Sequence, residues 1–395
     1  MLLRKISLNN FRNYAAQEID FNGSFNYIHG NNGEGKTNIL EAVSFISFGK
    51  SFLNSTESDC VKFDSEGFDI SGTYENDIEN IFEVRLNYDM PSRKKVFHLN
   101  SEKVSRWSSE IFGRFPAVFM SPHSLNITYG NPSERRKFFD ILLAQTSRVY
   151  LDLLKNFTRV LKQKNALLKG RLNGNTMSGK DFRYLLNSFN EKLVEFSSEI
   201  LFRRFALLDK FIPYFRESFE FLTNTDDVPG IAYFTEAFSA ADYNGGRDLK
   251  PEEISKFLET KITEKTAEET ARGLSVVGPH RDDYIFRLKK AGNGKQFEFD
   301  IKNFASQGEH KTFVIALKLA EYHFLKDSLG NRPILLLDDL LSELDPTRVS
   351  KIVSHLKDYG QIFLTTTDRN YLKDLKGFYG KEEISLFKIV NGKVE

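Results

Sequence analysis

The chain has one cysteine, no long apolar run and almost no net charge. Cys60 is the only cysteine in 395 residues, which excludes an internal disulfide and a cysteine-rich zinc site. One cysteine also suits a reducing cytoplasm. No stretch approaches the roughly 18 apolar residues of a membrane span. Polar residues such as Asn9 and Arg12 interrupt the start of the chain, unlike a signal peptide. We therefore expect a cytoplasmic protein without a membrane partner.

The formal net charge is only +1, so no overall basic field indicates nucleic-acid binding. Any DNA site must then be a local patch. Hydrophobic residues make up 40% of the chain and charged residues 28%, which is ordinary for a soluble protein. The length is enough for two units, each with its own core.

A glycine-rich loop near the start is the most informative segment. It reads Gly30-Asn31-Asn32-Gly33-Glu34-Gly35-Lys36-Thr37 and fits the pattern G-x-x-x-x-G-K-[ST] at every fixed position. The residues before it resemble a strand, and apolar residues recur at helical spacing after it. This context predicts a phosphate-binding loop whose Lys36 reaches the outer phosphates and whose Thr37 hydroxyl binds Mg²⁺. An ordinary glycine-rich turn is the alternative.

A second acidic segment lies near the other end of the chain. The apolar run 334–337 follows Pro333 and is followed by Asp338 and Asp339. Such a run predicts a strand buried on both faces of a parallel sheet. Asp338 is then placed to hold Mg²⁺, and Asp339 to orient or deprotonate an attacking water. Two turn or helix-capping aspartates are the alternative.

Three further segments each allow two interpretations. Ser306-Gln307-Gly308 precedes a predicted helix and is either a second anion site or an ordinary helix cap. Arg135-Arg136-Lys137 is either a patch that contacts DNA phosphates, or a solvated face or intramolecular ion-pair network. His280-Arg281-Asp282-Asp283 is either a metal or acid/base site, or a compact turn.

Strand-like segments occur at both ends of the chain and helical patterns in the middle. The predicted strands are 3–8, 18–21, 25–29, 69–74, 81–88, 94–99, 284–288, 297–301, 334–337 and 361–365. Two near-heptad apolar stripes, 150–168 and 182–200, flank a Gly/Asn loop and predict an antiparallel helical hairpin. Its arms of about 20 residues either project by about 30 Å or pack on the body.

These motifs together resemble the bacterial RecF proteins, ABC-type ATPases related to the SMC heads, nearly end to end. The matching strings are Leu8-Asn9-Asn10-Phe11-Arg12-Asn13-Tyr14, Gly49-Lys50-Ser51-Phe52, Gly130-Asn131-Pro132-Ser133-Glu134-Arg135-Arg136-Lys137-Phe138-Phe139-Asp140, Gly278-Pro279-His280-Arg281-Asp282-Asp283, Ser306-Gln307-Gly308 and Leu337-Asp338-Asp339-Leu340-Leu341-Ser342-Glu343-Leu344-Asp345. The resemblance implies an α/β fold, an ABC/SMC-like P-loop ATPase head with an inserted, mainly helical second lobe. The expected head covers residues 1–120 and 275–395, and the lobe with its hairpin covers 121–274.

The resemblance also implies a set of site residues. The residues assigned to ATP are Gly30, Asn31, Asn32, Gly33, Glu34, Gly35, Lys36, Thr37 and Asn38, with Mg²⁺ on Thr37 and Asp338 and with Lys36 and Asp339 as the catalytic pair. Ser306, Gln307 and Gly308 would form the ABC signature, which touches the γ-phosphate bound by the opposite subunit. Ser342 and Asp345 would form the D-loop at the same interface. Thr365-Thr366-Thr367 stands where many ABC proteins carry a switch histidine.

The implied biology is an ATP-dependent homodimer in DNA repair and replication. It would bind DNA at gaps or single-strand/double-strand junctions, work with RecO and RecR to load recombinase, and hydrolyse ATP slowly with stimulation by DNA. Leu53 departs from the arginine common in the family, and Glu309-His310-Lys311 from the usual Gln and Arg. The main alternative is an SMC-like DNA clamp that ATP switches without meaningful hydrolysis. A transporter ATPase would have a shorter spacing between its motifs, and a long-armed SMC protein would need a far longer coiled coil.

Overall fold

The computed structural model describes residues 1–76, 78–174, 177–238, 249–292, 295–339, 346–367, 375 and 377–395. The chain divides into two compact units. The first unit comprises Met1–Leu125, Glu217–Thr225 and Ser306–Glu395, and the second comprises Asn126–Arg216 and Asp226–Ala305.

The described strands and helices are named in chain order. The strands are β1 (Leu2–Phe11), β2 (Tyr14–Asp20), β3 (Phe25–His29), β4 (Gly67–Glu75), β5 (Ile81–Asp89), β6 (Lys94–Leu99), β7 (Glu102–Lys103), β8 (Ala117–Met120), β9 (Val228–Phe234), β10 (Asp283–Gly292), β11 (Lys295–Asp300), β12 (Ile334–Asp338), β13 (Ile362–Thr366), β14 (Ile384–Val390) and β15 (Lys393–Val394). The helices are α1 (Lys36–Phe48), α2 (Trp107–Glu110), α3 (Asn126–Tyr129), α4 (Pro132–Thr146), α5 (Arg148–Leu172), α6 (Gly179–Thr223), α7 (Pro251–Arg272), α8 (Ile301–Phe304), α9 (Gln307–Leu329) and α10 (Pro346–His355).

A mainly parallel sheet in the first unit has the strand order β15-β14-β3-β13-β12-β8. β12 and β13 are buried at every position, as expected when both faces of a parallel sheet are covered. β13 lies between β3 and β12 and runs parallel to both. Because parallel strands end at the same edge, the segments that follow β3 and β12 meet there.

An antiparallel sheet in the same unit has the order β2-β1-β4-β5-β6-β7. The strands predicted at 69–74, 81–88 and 94–99 are confirmed as β4, β5 and β6, which pair in sequence order as an antiparallel meander. β4 alternates between buried and half-buried positions. β1 adds to the free side of β4 through an antiparallel pairing between residues far apart in sequence.

α1 lies between these two sheets. It contacts β4 and β5 of the antiparallel sheet, and β12 and β13 of the parallel sheet. Every residue from Ile39 to Phe48 is buried, so the helix is covered all round and not only along one apolar stripe. The helix that follows the glycine-rich loop is therefore packed between the two sheets along most of its length.

The second unit combines helices α3 to α8, with α6 included up to Arg216, with a small antiparallel sheet of order β11-β10-β9. The expected lobe covers residues 121–274, whereas the units change at 125/126, 216/217, 225/226 and 305/306. The last boundary lies later than expected because β10 pairs with β9 as well as with β11, which places residues 283–300 in the second unit. The sequence Gly292-Asn293-Gly294 predicts a turn between β10 and β11, and residues 293–294 lie outside the described residues.

The predicted helical hairpin is present as α5 and α6, with Leu168 packed against Phe182 and Leu186 next to the turn. α6 does not end at 200 as the second stripe suggested, because buried apolar residues such as Phe205 and Phe211 continue the pattern. α5 also packs on α7, where Lys164 and Glu269 form a buried ion pair of 2.6 Å. No described helix is both long and apolar enough to cross a membrane.

A fully buried arginine, Arg204 on α6, organises the interior of the second unit. Its guanidinium donates to both carboxylate oxygens of Asp140 at 2.9 and 3.1 Å. It also donates to the Tyr233 hydroxyl at 2.8 Å and to the carbonyl oxygen of Pro279 at 2.9 Å. The Arg204 cation therefore connects four segments that are separate in sequence: its own helix α6, then α4, β9 and the segment that contains Pro279.

The segment 278–283 forms a turn, closed by the Arg281 N–H, which donates to the Gly278 carbonyl at 2.8 Å. Asp282 accepts the Tyr233 hydroxyl at 2.7 Å. Burial raises the pKa of Asp282 to about 6, and the nearby Arg204 charge opposes that rise. Of the two interpretations of this segment, the structure has the compact turn, joined to a buried polar cluster.

We expect the Arg204→Met variant to destabilise the second unit by about 3–5 kcal/mol, because it leaves the Asp140 carboxylate without its buried cation. The free energy of unfolding in denaturant measures the change. The matched control is Arg203→Met, since the adjacent arginine is partly exposed and its ion pair with Glu199 is longer, at 3.5 Å. Equal losses in the two variants would show that the Arg204 cluster contributes no more to stability than a partly exposed ion pair.

Candidate functional site

The glycine-rich loop connects β3 to α1 at the edge of the parallel sheet. Gly33 and Gly35 have φ values of +82° and +112°, which favour glycine. A Cβ atom on Gly35 would lie 2.6 Å from the side chain of Asn13. The local sequence thus allows a tight loop that ends directly at the helix start, where N–H groups point outward.

The loop is braced by residues that the sequence pattern did not identify as part of the site. The Asn13 amide donates to the Glu34 carbonyl at 2.7 Å, and the Tyr14 hydroxyl to the Gly35 carbonyl at 3.0 Å. From the C-terminal hairpin, the Gly392 N–H donates to the Glu34 carbonyl at 3.1 Å. The only local signal for these contacts was the position of Asn13 and Tyr14 at the end of the opening strand motif.

Lys36 is buried, with 7% of its surface exposed. Its ammonium donates to the carbonyl oxygens of Gly30 and Asn31, each at 2.8 Å. Burial lowers the pKa of Lys36, while the carboxylates of Asp339, Asp338 and Glu34 act in the opposite direction. The ammonium therefore lies inside the curl of the loop, with acidic groups facing it.

Thr37 and Asp338 meet although 301 residues separate them. The Thr37 hydroxyl donates to Asp338 Oδ1 at 2.8 Å. Thr365, at the end of β13, donates its own hydroxyl to the same oxygen at 2.7 Å. Burial raises the pKa of Asp338, and the hydrogen bonds from Thr365 and Thr37 oppose that rise. A carboxylate beside a threonine hydroxyl is a donor set that suits Mg²⁺, which binds few protein oxygens and keeps several waters.

Asp339 follows at the end of β12 with a φ value of +49°, unusual for a residue other than glycine. Its N–H points back to Thr365, 3.0 Å from the hydroxyl oxygen and 3.2 Å from the carbonyl oxygen. A cavity of about 150 Å³ is lined by Asn32, Gly33, Gly35, Lys36, Thr37, Asn38, Asp338, Asp339 and Thr365.

Ser306 is the N-cap of α9, in the same unit as the glycine-rich loop. Its hydroxyl accepts the Glu309 N–H at 3.3 Å and donates to the Glu309 carboxylate at 2.8 Å. The helix cap considered from the sequence is therefore present. Ser306, Gln307 and Gly308 are all exposed, and a Cβ on Gly308 would meet nothing within 4 Å. Ser342 and Asp345 lie outside the described residues.

The basic cluster on α4 is largely used inside the second unit. Arg135 is 4% exposed and donates to both carboxylate oxygens of Asp283, at 2.7 and 2.8 Å. Arg136 donates to the carbonyl oxygen of Asp282 at 2.5 Å, and burial lowers its pKa. Of the alternatives for this cluster, the ion-pair network applies to Arg135, and Arg136 adds a hydrogen bond to a backbone carbonyl. The assignment of Arg135 to DNA is corrected, because its donors are taken by the Asp283 carboxylate and the Gly130 carbonyl. Lys137 is half-buried.

Comparison with known proteins matches almost the whole chain. The family model described as the RecF/RecN/SMC N terminal domain matches residues 2–383. The DNA replication and repair protein RecF of Chlorobium phaeobacteroides is 37% identical over 369 residues, which are 93% of this chain and 96% of that protein.

Solved structures agree with this match. The structure of the recombination mediator protein RecF with ATP in the RecFOR pathway has 30% identity and a TM-score of 0.86, and the match covers 100% of this chain and 97% of that one. The Smc head domain of Pyrococcus furiosus, at 17% identity and a TM-score of 0.54 over 100% and 95% of the two chains, is similar in fold alone. The predicted fold class, an ABC/SMC-like ATPase head with a mainly helical second unit, is confirmed, and the chain belongs to the RecF family.

Proposed function

We propose that the chain is an ATP-binding and DNA-binding protein of DNA replication and repair, in which ATP controls pairing with a second copy. The observation that carries this proposal is the 2.8 Å hydrogen bond from Thr37 to Asp338 beside the glycine-rich loop. It places a hydroxyl, a carboxylate and the Lys36 ammonium around one small cavity. The relatives named RecF, and the RecF structure described with ATP, support the same function.

ATP binding follows from the chemistry of the loop. The N–H groups at the start of α1 would hold phosphate oxygens, and Lys36 would exchange its two carbonyl acceptors for the outer phosphates. Thr37 and Asp338 would hold Mg²⁺, which neutralises phosphate charge as the terminal bond breaks. Asn13 and Gly392 keep the loop in shape by bonding Glu34.

Hydrolysis is assigned to Asp339, which lines the same cavity as Lys36. A carboxylate next to the Mg²⁺-holding residue can orient or deprotonate the attacking water. We propose slow turnover, stimulated by DNA, that resets the ATP-bound state. The position of Asp339 favours this ATPase over the alternative of a clamp that does not hydrolyse ATP.

Dimerisation is assigned to the exposed start of α9. Ser306 and Gly308 of each subunit would cap the γ-phosphate bound by the other, with Ser342 and Asp345 as the D-loop of that interface. Gly308 has free space around it in its own chain, so the chain's own packing does not require a glycine there. The close approach of a second molecule would require one.

DNA at gaps or single-strand/double-strand junctions is the proposed nucleic-acid partner, with RecR and RecO as protein partners in loading recombinase in the cytoplasm. The RecFOR pathway named for the solved RecF structure supports these partners. Since Arg135 is paired with Asp283 inside its unit, no DNA contact is assigned to it, and the proposed DNA contacts of this cluster are Arg136 and Lys137. Turnover of ATP with and without gapped DNA tests the proposal most directly, and an absence of turnover in both conditions would contradict the ATPase.

The Lys36→Ala variant should bind ATP about 10- to 100-fold more weakly, since one charge-assisted contact to the phosphates is lost. Equilibrium binding of a fluorescent ATP analogue measures the loss. Lys289→Ala, which changes an exposed lysine of the second unit, is the control and should bind normally. Normal affinity in Lys36→Ala would remove the loop from the site.

The Asp339→Asn variant should keep ATP binding but lower kcat by about 10²- to 10⁴-fold, the range expected for a lost general base. The ATP-bound dimer should then accumulate. Steady-state phosphate release measures kcat, with Asp152→Asn on the exposed side of α5 as the control. Unchanged turnover would mean that another group activates the water.

Two changes at the start of α9 should block the dimer without affecting ATP binding. Ser306→Arg adds a bulky cation, and Gly308→Ala adds a methyl group where a second subunit would approach. Light scattering with ATP, with ADP and without nucleotide should show a dimer of the wild type only with ATP. Gly179→Ala is the matched control, because Gly179 also begins a helix with nothing near its Cβ position. A wild-type dimer of equal strength in all three conditions would rule out the ATP sandwich.

A further inference from the structure

Thr365 lies at the point where three parts of the candidate site meet. It stands directly beside Asp338 in the parallel pairing of β12 and β13, and its side chain is 1% exposed. Its hydroxyl donates to Asp338 Oδ1 at 2.7 Å and accepts the Asp339 N–H at 3.0 Å. The Thr365 hydroxyl therefore donates to the Asp338 carboxylate and accepts from the Asp339 backbone N–H.

The two hydrogen bonds have different effects: one orients the Asp338 carboxylate, and the other stabilises the backbone conformation of Asp339. Asp338 is buried, so its carboxylate depends on donors from the protein. Thr37 and Thr365 both donate to Oδ1, which sets the rotation of the carboxyl group. At Asp339, a left-handed backbone with φ of +49° costs energy in a residue other than glycine. The Thr365 hydroxyl and carbonyl oxygens, the two acceptors of its N–H, offset that cost.

We propose that Thr365 is a positioning residue of the nucleotide site, whose hydroxyl aims the Asp338 carboxylate at Mg²⁺ and holds the Asp339 backbone so that its carboxylate faces the γ-phosphate. The inference rests on the proposed ATPase function and deepens it. The resemblance placed the segment 365–367 where many ABC proteins carry a switch histidine. In this chain the first residue of that segment, Thr365, instead hydrogen-bonds Asp338 and Asp339 at the end of β12.

A purely structural role for Thr365 predicts a different result from a positioning role. Loss of a buried hydroxyl with a structural role alone would lower stability and leave the Mg²⁺ dependence of nucleotide binding unchanged. Loss of a partner that orients a metal-holding group lowers metal affinity or activity by about 10- to 100-fold. Binding of ATP without Mg²⁺ depends on the loop and Lys36, so a positioning role leaves it unaffected.

The test compares Thr365→Val, which keeps the shape but removes the hydroxyl, with Thr365→Ser, which keeps the hydroxyl. Affinity for a fluorescent ATP analogue is measured in EDTA and across a Mg²⁺ titration, and kcat is measured at saturating ATP. For Thr365→Val we expect the affinity for the ATP analogue in EDTA to stay within about twofold of wild type. We also expect the Mg²⁺ concentration needed for tight binding to rise, or kcat to fall, by about 10- to 100-fold. Thr365→Ser should remain close to wild type.

Ser47→Ala is the control for loss of a buried hydroxyl elsewhere in the same unit, since Ser47 shares a hydrogen bond of 3.2 Å with Tyr74. It should leave the Mg²⁺ titration unchanged. A Thr365→Val protein with wild-type Mg²⁺ dependence and wild-type kcat would overturn the inference, as would an equal loss of affinity in EDTA. A wild-type chain without Mg²⁺-dependent ATP binding would overturn the proposed function and this inference together.

Discussion

The arrangement of the site depends on the Asp338 carboxylate, which is held between the hydroxyls of Thr37 and Thr365. A carboxylate can be buried only where donors replace water, and here the donors come from α1 and β13. The interaction ties together the start of α1, the end of β12 and the end of β13. The glycine-rich loop, the Lys36 ammonium and the Asp339 carboxylate are arranged around that junction.

A buried charge has a comparable part in the second unit. Arg204 on α6 is satisfied by Asp140 on α4, by Tyr233 on β9 and by the carbonyl of Pro279. Each partner comes from a different segment, so the cation can be satisfied only when those segments have packed correctly. Breaking a buried ion pair destabilises a protein far more than losing a surface pair. Incorrect packing around Arg204 would therefore be strongly destabilising.

Local patterns identified the central residues of the site. The glycine-rich string at Lys36 and Thr37, and the apolar run that ends at Asp338, predict their chemistry because loop shape and strand burial follow from neighbouring residues. The serine and glutamate three residues apart at Ser306 and Glu309 likewise fit a helix cap. The basic run at Arg135 was misleading because its surroundings are not set by neighbouring residues. A run of basic residues has the same composition whether its charges face solvent or an aspartate of the same unit, and only packing decides between the two.

The sequence by itself indicated the family, through motifs that resemble those of RecF proteins. Short-range spacing also predicted the helical hairpin, the glycine-rich loop and strands such as β5, β6, β12 and β13, whereas β8, β9 and β14 were not predicted. Tertiary structure alone decided which distant residues complete the site. Thr365 reaches Asp338 only through the pairing of β13 with β12, and Asn13 reaches Glu34 only because the opening strand lies beside the loop. Neither partner could be named from local sequence, since a hydrogen bond between residues far apart in the chain depends on strand order and not on the residues around each partner.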